Sequence, residues 1–407
     1  MENIIKFGVL KETKNPPDRR VAVTPEQCIE IQNRFPNVEI FIQRSELRCF
    51  KDHEYENLGL KLVDSLEHCD VLIGVKEVSI PTLIEGKTYI FFSHTAKKQS
   101  YNRKLLQEIL TKKITLLDYE YFTDINKNRL VAFGKWAGIV GSYNALIAYG
   151  KRNKLFELKR AKDCFDFNEL KQHVTEINLP AIKILISGGG RVAKGAMETL
   201  SLLNLKKVSP SDFLTKTFNE PVICQIDADV YTKRKDGSAF DFQHFFKNPR
   251  MYESSFKPYT KVADIYIAAH FWDNNSPAFI TKQDYIETDF NIKIIADVSC
   301  DIIDPIASTL RPSTIAEPFY GYNSATGSEG DAWDDNNITV MSIDNLPGEL
   351  PRNASVEFGT GLIEKVYPSL FGEDTNGIIE RATIAKNGKL GNHFVYLQNF
   401  VDEKEYK

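Results

Sequence analysis

Long apolar runs and closely spaced cysteines are both missing from this 407-residue sequence. No stretch approaches the roughly 18 apolar residues of a membrane span, and the charged amino-terminal segment, with only short apolar runs, is unlike a signal peptide. The six cysteines are scattered, with no CxxC pair and no Cys/His cluster: Cys28, Cys49, Cys69, Cys164, Cys224 and Cys300. That spacing argues against a disulfide scaffold and a zinc site. The acid-rich run 331–337 lacks the ligand spacing of a calcium loop. We therefore expect no metal and a cytoplasmic protein.

A basic surplus is also missing. Lys and Arg number 51 against 55 Asp and Glu, a formal net charge of −4. Proteins that bind nucleic acid or anionic membranes usually carry excess positive charge, so we expect small-molecule partners, no nucleic acid and no membrane. The composition, 42% hydrophobic and 26% charged, is that of a globular chain, and the length suits about two domains. The sequence leaves the oligomeric state open.

Strand-like and helix-like segments alternate along the chain, which predicts an α/β fold with parallel sheets. A first series runs from IIKFGVL (4–10) to ITLLDYE (114–120), and a second runs from AIKILISGGG (181–190) to ITVMSIDN (338–345). Residues 134–152, between them, predict a long helix rich in small residues. We predict two Rossmann-like domains with a cleft between them: a substrate domain at 1–135, completed by 346–407, and a dinucleotide-binding domain at 136–345.

The run ISGGGRVAKGA (186–196) follows an apolar strand and opens a helix. Gly188, Gly190 and Ala193 give the G-x-G-x-x-A form of the dinucleotide fingerprint, in which glycines let the backbone approach a pyrophosphate at the helix N-terminus. We predict cofactor contacts along this loop and at two further strand ends: Gly188, Gly189, Gly190, Arg191, Val192, Ser209 and Asp297.

The fingerprint usually continues, about 20 residues on, with an acid that binds the ribose hydroxyls of NAD. Ser209 stands at that distance, Asp212 slightly later, and Asp227 and Asp229 much later. Without an acid a 2′-phosphate is not repelled, so the cofactor is NAD or NADP, with a slight preference for NADP. The basic run 233–235 is better explained as a solvated hairpin tip than as a phosphate site.

Charged residues also follow strands of the first domain. Lys76 and Glu77 close one strand, and His94 ends the next. Burial lowers the pKa of a lysine at the end of an apolar strand, and histidine titrates near neutral pH, so Lys76 and His94 are a candidate acid–base pair. Arg20 and Arg129 suit carboxylates, because a guanidinium binds them bidentately.

Three strand-end residues of the second domain stay ambiguous. Asp344, after a strand, suits an amine or a ribose, but a capping or turn role is equally open. His270 and Asp297 also end strands, with the same two interpretations.

Several motifs together resemble the alanine dehydrogenase and saccharopine dehydrogenase superfamily, and within it the lysine–ketoglutarate reductase half of bifunctional aminoadipic semialdehyde synthase. The resemblance covers roughly residues 5–370. It is carried by RVAVTP (20–25), LIGVKE (72–77), FFSHT (91–95), LLDYE (116–120), VAFGKWAG (131–138), SGGGRVAKGA (187–196), ADVSCD (296–301) and SIDNLPGELPR (342–352).

The resemblance implies reductive condensation of L-lysine with 2-oxoglutarate to saccharopine, or the reverse reaction, with a nicotinamide cofactor. It assigns Lys76 and His94 to acid–base chemistry and Arg20 and Arg129 to substrate carboxylates. It also places three acids near the substrate or its amine: Glu77, Glu120 and Asp344. Ser209 departs from the acid of the NAD-specific fungal enzymes, which favours NADPH slightly. An alanine dehydrogenase and a non-catalytic NAD(P)-sensing protein remain as alternatives.

Overall fold

The computed structural model describes residues 4–403, so the first three residues of the amino-terminal segment considered above lie outside it. Within that range the strands are β1 (Ile5–Val9), β2 (Val38–Gln43), β3 (Lys61–Val63), β4 (Val71–Lys76), β5 (Thr88–Phe92), β6 (Thr115–Asp118), β7 (Lys183–Ser187), β8 (Lys206–Lys207), β9 (Val222–Ile226), β10 (Thr232–Arg234), β11 (Tyr252–Ser254), β12 (Ile265–Ala268), β13 (Ile294–Asp297), β14 (Phe319–Asn323), β15 (Ser328–Gly330), β16 (Asn337–Met341), β17 (Thr383–Lys386) and β18 (Lys389–Leu390).

The α-helices of the same range are α1 (Pro25–Arg34), α2 (Asp52–Glu56), α3 (Arg103–Thr111), α4 (Gly134–Asn153), α5 (Phe167–Thr175), α6 (Arg191–Leu200), α7 (Pro210–Thr215), α8 (Ala228–Tyr231), α9 (Phe242–Lys247), α10 (Lys257–Thr260), α11 (Pro351–Lys365), α12 (Tyr367–Phe371), α13 (Ile378–Ala382) and α14 (Gln398–Val401). Short 3₁₀ helices cover Ile80–Thr82, Thr95–Lys97, Ser100–Asn102, Tyr119–Tyr121, Ala161–Asp163, Pro249–Met251, Asp284–Ile286, Leu346–Glu349 and Asn392–Leu397. No helix within residues 4–403 is long and apolar enough to cross a membrane.

The chain divides into two compact units. The first unit joins the residues up to Ala132 to those from Pro351 onward, and the second unit is Phe133–Leu350. The boundaries predicted from the sequence are 135/136 and 345/346. Each unit holds one large sheet that is mainly parallel, which confirms the predicted α/β class.

The sheet of the first unit has the order β18-β17-β6-β5-β4-β1-β2-β3. Strands β1 to β6 are parallel, and β17 and β18 extend the edge antiparallel. Leu72, Ile73 and Val75 of β4 are fully buried, as expected of a parallel strand covered on both faces. The strand order reverses between β1 and β4, and doubly wound sheets bind ligands beyond the carboxyl ends of their strands at such a switch point.

Local signals in the sequence explain how α1 begins and what it packs against. Thr24 caps α1 and Pro25 occupies its first turn, and the Gln27 Oε1 accepts a hydrogen bond from the Thr24 N–H (3.1 Å), which completes a capping box. The Gln27 Nε2 donates to the Val356 carbonyl of α11 (2.7 Å). The tail after residue 350 therefore packs on α1.

The sheet of the second unit has the order β15-β14-β16-β13-β12-β7-β9-β8. Strands β7 to β9, β12, β13 and β16 are parallel, and β14 and β15 are antiparallel. Strand β8 is only two exposed residues and lies outside β9. The neighbour of β7 is therefore β9, although β8 comes earlier along the chain.

Two glycines bring α4 and α6 of the second unit into backbone contact. A Cβ atom at Gly138 would lie 1.9 Å from the Val192 carbonyl oxygen, and one at Gly195 would lie 2.0 Å from that of Lys135. Neither position has room for a side chain, because the obstruction is backbone. This contact holds α6, the helix that follows the glycine-rich loop, against α4.

Candidate active site

Charged side chains of the first unit lie beyond the carboxyl ends of four neighbouring strands. Glu12 follows β1, Lys76 ends β4, His94 follows β5 and Glu120 follows β6. Lys76 is in register with Phe92, the last residue of β5, so Lys76 and His94 come from the ends of adjacent strands. The Lys76 charge also contributes to the lowering of the pKa of His94. The two predicted acid–base residues are therefore brought together.

Lys76 is half-buried at the end of β4. Burial lowers its pKa, and the charge of Arg20 lowers it further, while Asp18 and Glu77 act in the opposite direction. Among residues 4–403, no side chain forms a hydrogen bond or ion pair with its amine nitrogen. A lowered pKa brings Lys76 closer to the range in which a general acid or base works.

His94 has an unusual backbone and a neutral ring. Its φ of 53° and ψ of 10° lie in the left-handed region, and such conformations cluster at functional sites. The ring stacks on Phe92, with the centroids 6.3 Å apart. Burial, followed by the charges of Lys97 and Lys76, lowers the pKa of His94 to about 4. Near pH 7 the ring is therefore neutral and able to accept a proton.

A half-buried carboxylate that is not among the predicted site residues supports the end of β4. Glu12 accepts hydrogen bonds from the backbone N–H of Val75 (2.6 Å) and of Lys76 (2.9 Å). Burial raises the pKa of Glu12 to about 7, and Asp18 adds to this effect. Its signal in the sequence was its place just after β1, on the other side of the switch point from Lys76.

Arg20, which is predicted to bind a substrate carboxylate, is ion-paired with the carboxylate of Asp18. Its guanidinium donates to Asp18 through Nε (3.0 Å) and one terminal nitrogen (2.5 Å), and both side chains are almost fully buried. Burial alone would raise the pKa of Asp18, but the charge and hydrogen bonds of Arg20 hold it well below its usual range.

Glu120 joins two cations at the end of β6. Its Oε1 lies 3.0 Å from the Lys97 ammonium and 3.5 Å from the Arg129 guanidinium. Burial raises the pKa of Glu120, but these two charges outweigh it and lower the pKa below the ordinary value. The structure thus brings two predicted substrate residues, Glu120 and Arg129, into one ion-paired group.

Glu77 borders a cavity of about 270 Å³ in the first unit. Its Oε1 is ion-paired with Lys14, while its Oε2 is buried and has no hydrogen-bond partner among residues 4–403. Asn102 also lines this cavity, and its buried Nδ2 has no partner in the same range. Two residues that line one cavity therefore each have a polar atom with an unused capacity for hydrogen bonding.

The glycine-rich loop of the second unit has the geometry that the fingerprint requires. Gly188 has a φ of +109°, and a Cβ there would lie 2.5 Å from the Ala269 carbonyl oxygen. Gly190 caps α6, and a Cβ there would contact no atom within 4 Å. Arg191 and Val192 form the first turn of α6. The loop and helix N-terminus are open where a pyrophosphate would bind.

Ser209 and Asp227 follow two different strands of the second sheet. Ser209 caps α7, accepting from the Asp212 N–H (3.1 Å), and it follows the outer strand β8. Asp227 follows β9, the neighbour of β7, and its Oδ2 would lie 2.1 Å from a Cβ at Gly189. Because β8 and α7 precede β9 along the chain, a residue count from the glycine-rich loop reaches Ser209 before Asp227.

Asp297 and Asp344 lie in contrasting surroundings. Asp297 is fully buried and accepts hydrogen bonds from the Ser299 and Cys300 N–H groups (3.0 and 3.1 Å) and from the Thr309 hydroxyl (2.7 Å). Its oxygens therefore hold the turn after β13. Asp344 is exposed in the turn after β16, where it is accessible to a ligand.

His270 adjoins the glycine loop. Its Nδ1 lies 2.7 Å from the Ser187 Oγ, and its ring stacks on Phe279 with the centroids 4.0 Å apart. Burial lowers the pKa of His270 to about 3. Its Nε2 is buried and has no hydrogen-bond partner among residues 4–403. The backbone of His270 adjoins the loop, since its Cα would lie 2.9 Å from a Cβ at Gly188.

One group within residues 4–403 has metal-ligand side chains in proximity: Cys164, Glu169 and His173, whose ligand atoms lie within 4.8 Å of one another. Glu169 is already ion-paired with Lys159 and accepts a hydrogen bond from the Phe165 N–H (2.6 Å). A cation there would have to displace the Lys159 ammonium.

The two parallel sheets, the open glycine loop and the strand-end charges define a two-unit α/β protein of the dinucleotide-binding class. The predicted resemblance to the alanine dehydrogenase and saccharopine dehydrogenase superfamily is confirmed by comparison with known proteins. Residues 8–140 match the family described as alanine dehydrogenase/PNT, N-terminal domain.

Curated relatives extend the similarity to most of the chain. It is 27% identical to α-aminoadipic semialdehyde synthase of Arabidopsis thaliana over 96% of the chain and 41% of that protein. The mitochondrial enzyme of the same name from Bos taurus is 28% identical over 98% of the chain and 48% of that protein. The chain thus spans about half the length, or less, of these relatives. Saccharopine dehydrogenase [NAD(+), L-lysine-forming] of Schizosaccharomyces pombe is 27% identical over 86% of the chain and 89% of that protein.

Solved structures share the fold. An L-alanine dehydrogenase superposes with a TM-score of 0.62 at 16% identity, over 98% of this chain and all of that one. A transhydrogenase from Sinorhizobium meliloti gives a TM-score of 0.59 at 14% identity, over 95% of this chain.

Proposed function

We propose that the chain is a nicotinamide-dependent oxidoreductase that interconverts L-lysine and 2-oxoglutarate with saccharopine. The observation that carries the proposal is the pair of proton-transfer groups at the ends of adjacent strands, Lys76 and His94. The names of the relatives, which include an L-lysine-forming saccharopine dehydrogenase, support this reaction.

The two groups differ in protonation in the way that condensation of an amine with a ketone requires. Loss of water from a carbinolamine needs one proton delivered to the departing hydroxyl and one removed from nitrogen. The Lys76 ammonium donates the first, and neutral His94 accepts the second. A nicotinamide cofactor, when bound, would supply the hydride to the imine carbon, and His94, protonated in the preceding step, returns its proton to the imine nitrogen.

The surrounding charges suit a substrate with several carboxylates and amines. Arg20 and Arg129 bind carboxylates, and they exchange part of their present pairing with Asp18 and Glu120 for the ligand. Glu77 and Glu120 tune the charge around Lys76 and the substrate amine. Asp344, exposed on the second unit, binds an amine or a ribose.

The second unit suits a dinucleotide, and we propose NAD rather than NADP. The cradle at Gly188 and Gly189 has no room for side chains. The Asp227 carboxylate lies beside Gly189, at the end of the strand next to β7, where an acid accepts hydrogen bonds from both ribose hydroxyls and repels a 2′-phosphate. The position of Asp227 therefore favours NAD, whereas Ser209 at the usual spacing favours NADP slightly.

The test is oxidation of NADH or NADPH, followed by absorbance, with L-lysine plus 2-oxoglutarate or with ammonium plus pyruvate. We expect turnover with lysine, 2-oxoglutarate and NADH. Lys76→Met and His94→Gln should each lower kcat by about 100-fold or more, the usual contribution of a positioned acid or base.

The other outcomes separate the alternatives. Turnover with ammonium and pyruvate would identify an alanine dehydrogenase, the activity named for the solved structure with TM-score 0.62. Retained NADH binding with no turnover of either pair would favour a sensing role.

A further inference from the structure

A carboxylate from another segment binds the backbone next to each of the two acid–base residues of the first unit. Glu12 is half-buried and accepts hydrogen bonds from the N–H groups of Val75 and Lys76. Asp118, the last residue of β6, is fully buried and accepts a hydrogen bond from the N–H of Ser93, the residue before His94.

The hydrogen bonds from Val75 and Lys76 to Glu12 form at an irregular end of β4. Strands β4 and β5 keep regular register from Val71 to Ile73, and the register then shifts before Lys76. The N–H groups of Val75 and Lys76 turn to the two oxygens of Glu12, one oxygen each. Gly74 permits this approach, because a Cβ there would lie only 3.2 Å from Glu12 Oε1.

The contact at His94 stabilises a strained turn. Asp118 accepts hydrogen bonds from the Ser93 N–H (2.8 Å) and the Ser93 hydroxyl (2.5 Å), and with its other oxygen from the Glu120 N–H (2.8 Å). The Ser93 hydroxyl lies 2.8 Å from the Thr95 hydroxyl. The residues on both sides of His94 are thereby fixed, and His94 itself keeps its left-handed backbone.

We propose that Glu12 and Asp118 are positioning residues, Glu12 for Lys76 and Asp118 for His94. The assignment rests on the proposed function in so far as Lys76 and His94 transfer protons. Within residues 4–403 the Lys76 amine forms no side-chain hydrogen bond or ion pair. The backbone of Val75 and Lys76, which Glu12 holds, therefore determines where Lys76 delivers its proton. Misplacement of a catalytic group by about 1 Å can cost 100-fold in rate.

Glu12→Gln and Asp118→Asn test this, since each amide keeps the size of the side chain but replaces one acceptor oxygen with a donor. We expect each to lower kcat by about 10- to 100-fold, with KM for NADH unchanged. Glu349→Gln is the matched control. Glu349 is likewise hydrogen-bonded, to Asn144 (2.9 Å) and Arg160 (3.0 Å), and is fully buried as Asp118 is, but it belongs to the second unit. We expect kcat of this control to remain at the wild-type value.

Double variants distinguish positioning from general damage. If Glu12 acts through Lys76, Glu12→Gln has no further effect in a Lys76→Met background and its full effect in a His94→Gln background. Asp118→Asn should have no further effect in a His94→Gln background and its full effect in a Lys76→Met background. Equal losses in both backgrounds would overturn the proposal. If an amide variant does not fold, Glu12→Asp or Asp118→Glu replaces it in the same double-variant comparison. These substitutions keep the negative charge and change the length of the side chain.

Amide hydrogen exchange gives a readout that does not depend on turnover. Glu12→Gln should accelerate exchange at Val75 and Lys76, and Asp118→Asn at Ser93 and Glu120, with the rest of the first unit unchanged. Absence of wild-type turnover with lysine and 2-oxoglutarate would reject the proposed function alone. Unchanged protection at these amides would reject the positioning proposal, whatever the substrate.

Discussion

At the scale of single residues, the ionisation of His94 depends on the cation beside it. The pKa of His94 is about 4 because of burial and the charges of Lys97 and Lys76. Lys76→Met removes one of these charges, so we expect the pKa of His94 to rise, measured by NMR titration of the ring. Lys61→Met is the control, because it removes an exposed lysine of β3 that is ion-paired with Glu39. This variant should leave the pKa of His94 unchanged.

The same shift has a defined effect on stability. The folded protein holds the His94 proton less tightly than the unfolded chain, whose pKa is near the ordinary value of 6.5. The stability contributed by neutral His94 is therefore complete above that pH and is lost as the pH falls toward 4. In Lys76→Met this loss should be smaller. An unaltered His94 titration in that variant would contradict the electrostatic coupling between the two residues.

Cofactor choice is also a single-residue property. Asp227→Asn should lower the ratio of kcat/KM for NADH to that for NADPH by about tenfold, roughly the 1.4 kcal/mol expected from removing one charge repulsion. The asparagine can still accept from the Ala228 N–H, as Asp227 does at 2.8 Å, so α8 keeps its cap.

The matched control is Ser209→Ala. It removes the cap of α7, which costs about 1 kcal/mol of stability, and should leave the cofactor ratio unchanged. A change of the ratio in the Ser209 variant, with none in the Asp227 variant, would restore the assignment based on spacing.

At the scale of elements, the contact of α4 with α6 depends on glycine. Gly138→Ala would place a Cβ 1.9 Å from the Val192 carbonyl, and neither helix can yield by rotating a side chain. We expect the free energy of unfolding to fall by about 3 kcal/mol or more, measured by denaturant titration.

Gly134→Ala, on the same helix, is the control for that substitution. A Cβ there would make only an ordinary 3.4 Å contact with a Val192 methyl group, and alanine favours helix. Its stability should equal or exceed that of the wild type. Equal losses in both variants would show that the close approach is not the cause.

Most of these elements were accessible from the sequence, and the exceptions have a physical reason. Buried parallel strands such as β4 and β12 are apolar runs that periodicity detects. The alternation of strands and helices also predicts a strand at 206–210, where the two exposed residues of β8 lie, whereas the short, exposed edge strand β15 has no such pattern. That β9 and not β8 pairs with β7 depends on tertiary structure, so spacing alone indicates Ser209 before Asp227.

The candidate site was predictable to a similar extent. Lys76 and His94 stand at strand ends with recognisable chemistry. Glu12 and Asp118 also lie at or just after strand ends, but their roles could not be predicted, because these roles depend on backbone N–H groups supplied by other strands. Hydrogen bonds of this kind have no sequence spacing.

At the scale of the whole molecule, each unit has its own apolar core: one cluster includes Tyr89, Phe91 and Leu106, and the other includes Tyr266, Ile295 and Val340. A ligand stabilises the structure to which it binds, by about 2.7 kcal/mol when present at 100 times its Kd. The proposed cofactor residues Gly188 and Asp227 both lie in the second unit.

We therefore expect NADH to slow amide exchange first in the second unit, in peptides spanning residues 183–200 and 222–231. NADPH at the same concentration should protect these peptides less in the wild type, and Asp227→Asn should narrow the difference between the two cofactors. Because exchange reports binding and not turnover, the result is independent of the substrate. Protection by NADH confined to the first unit would show that the glycine loop is not the cofactor site, and the assignment of Gly188, Gly189 and Asp227 would then be wrong.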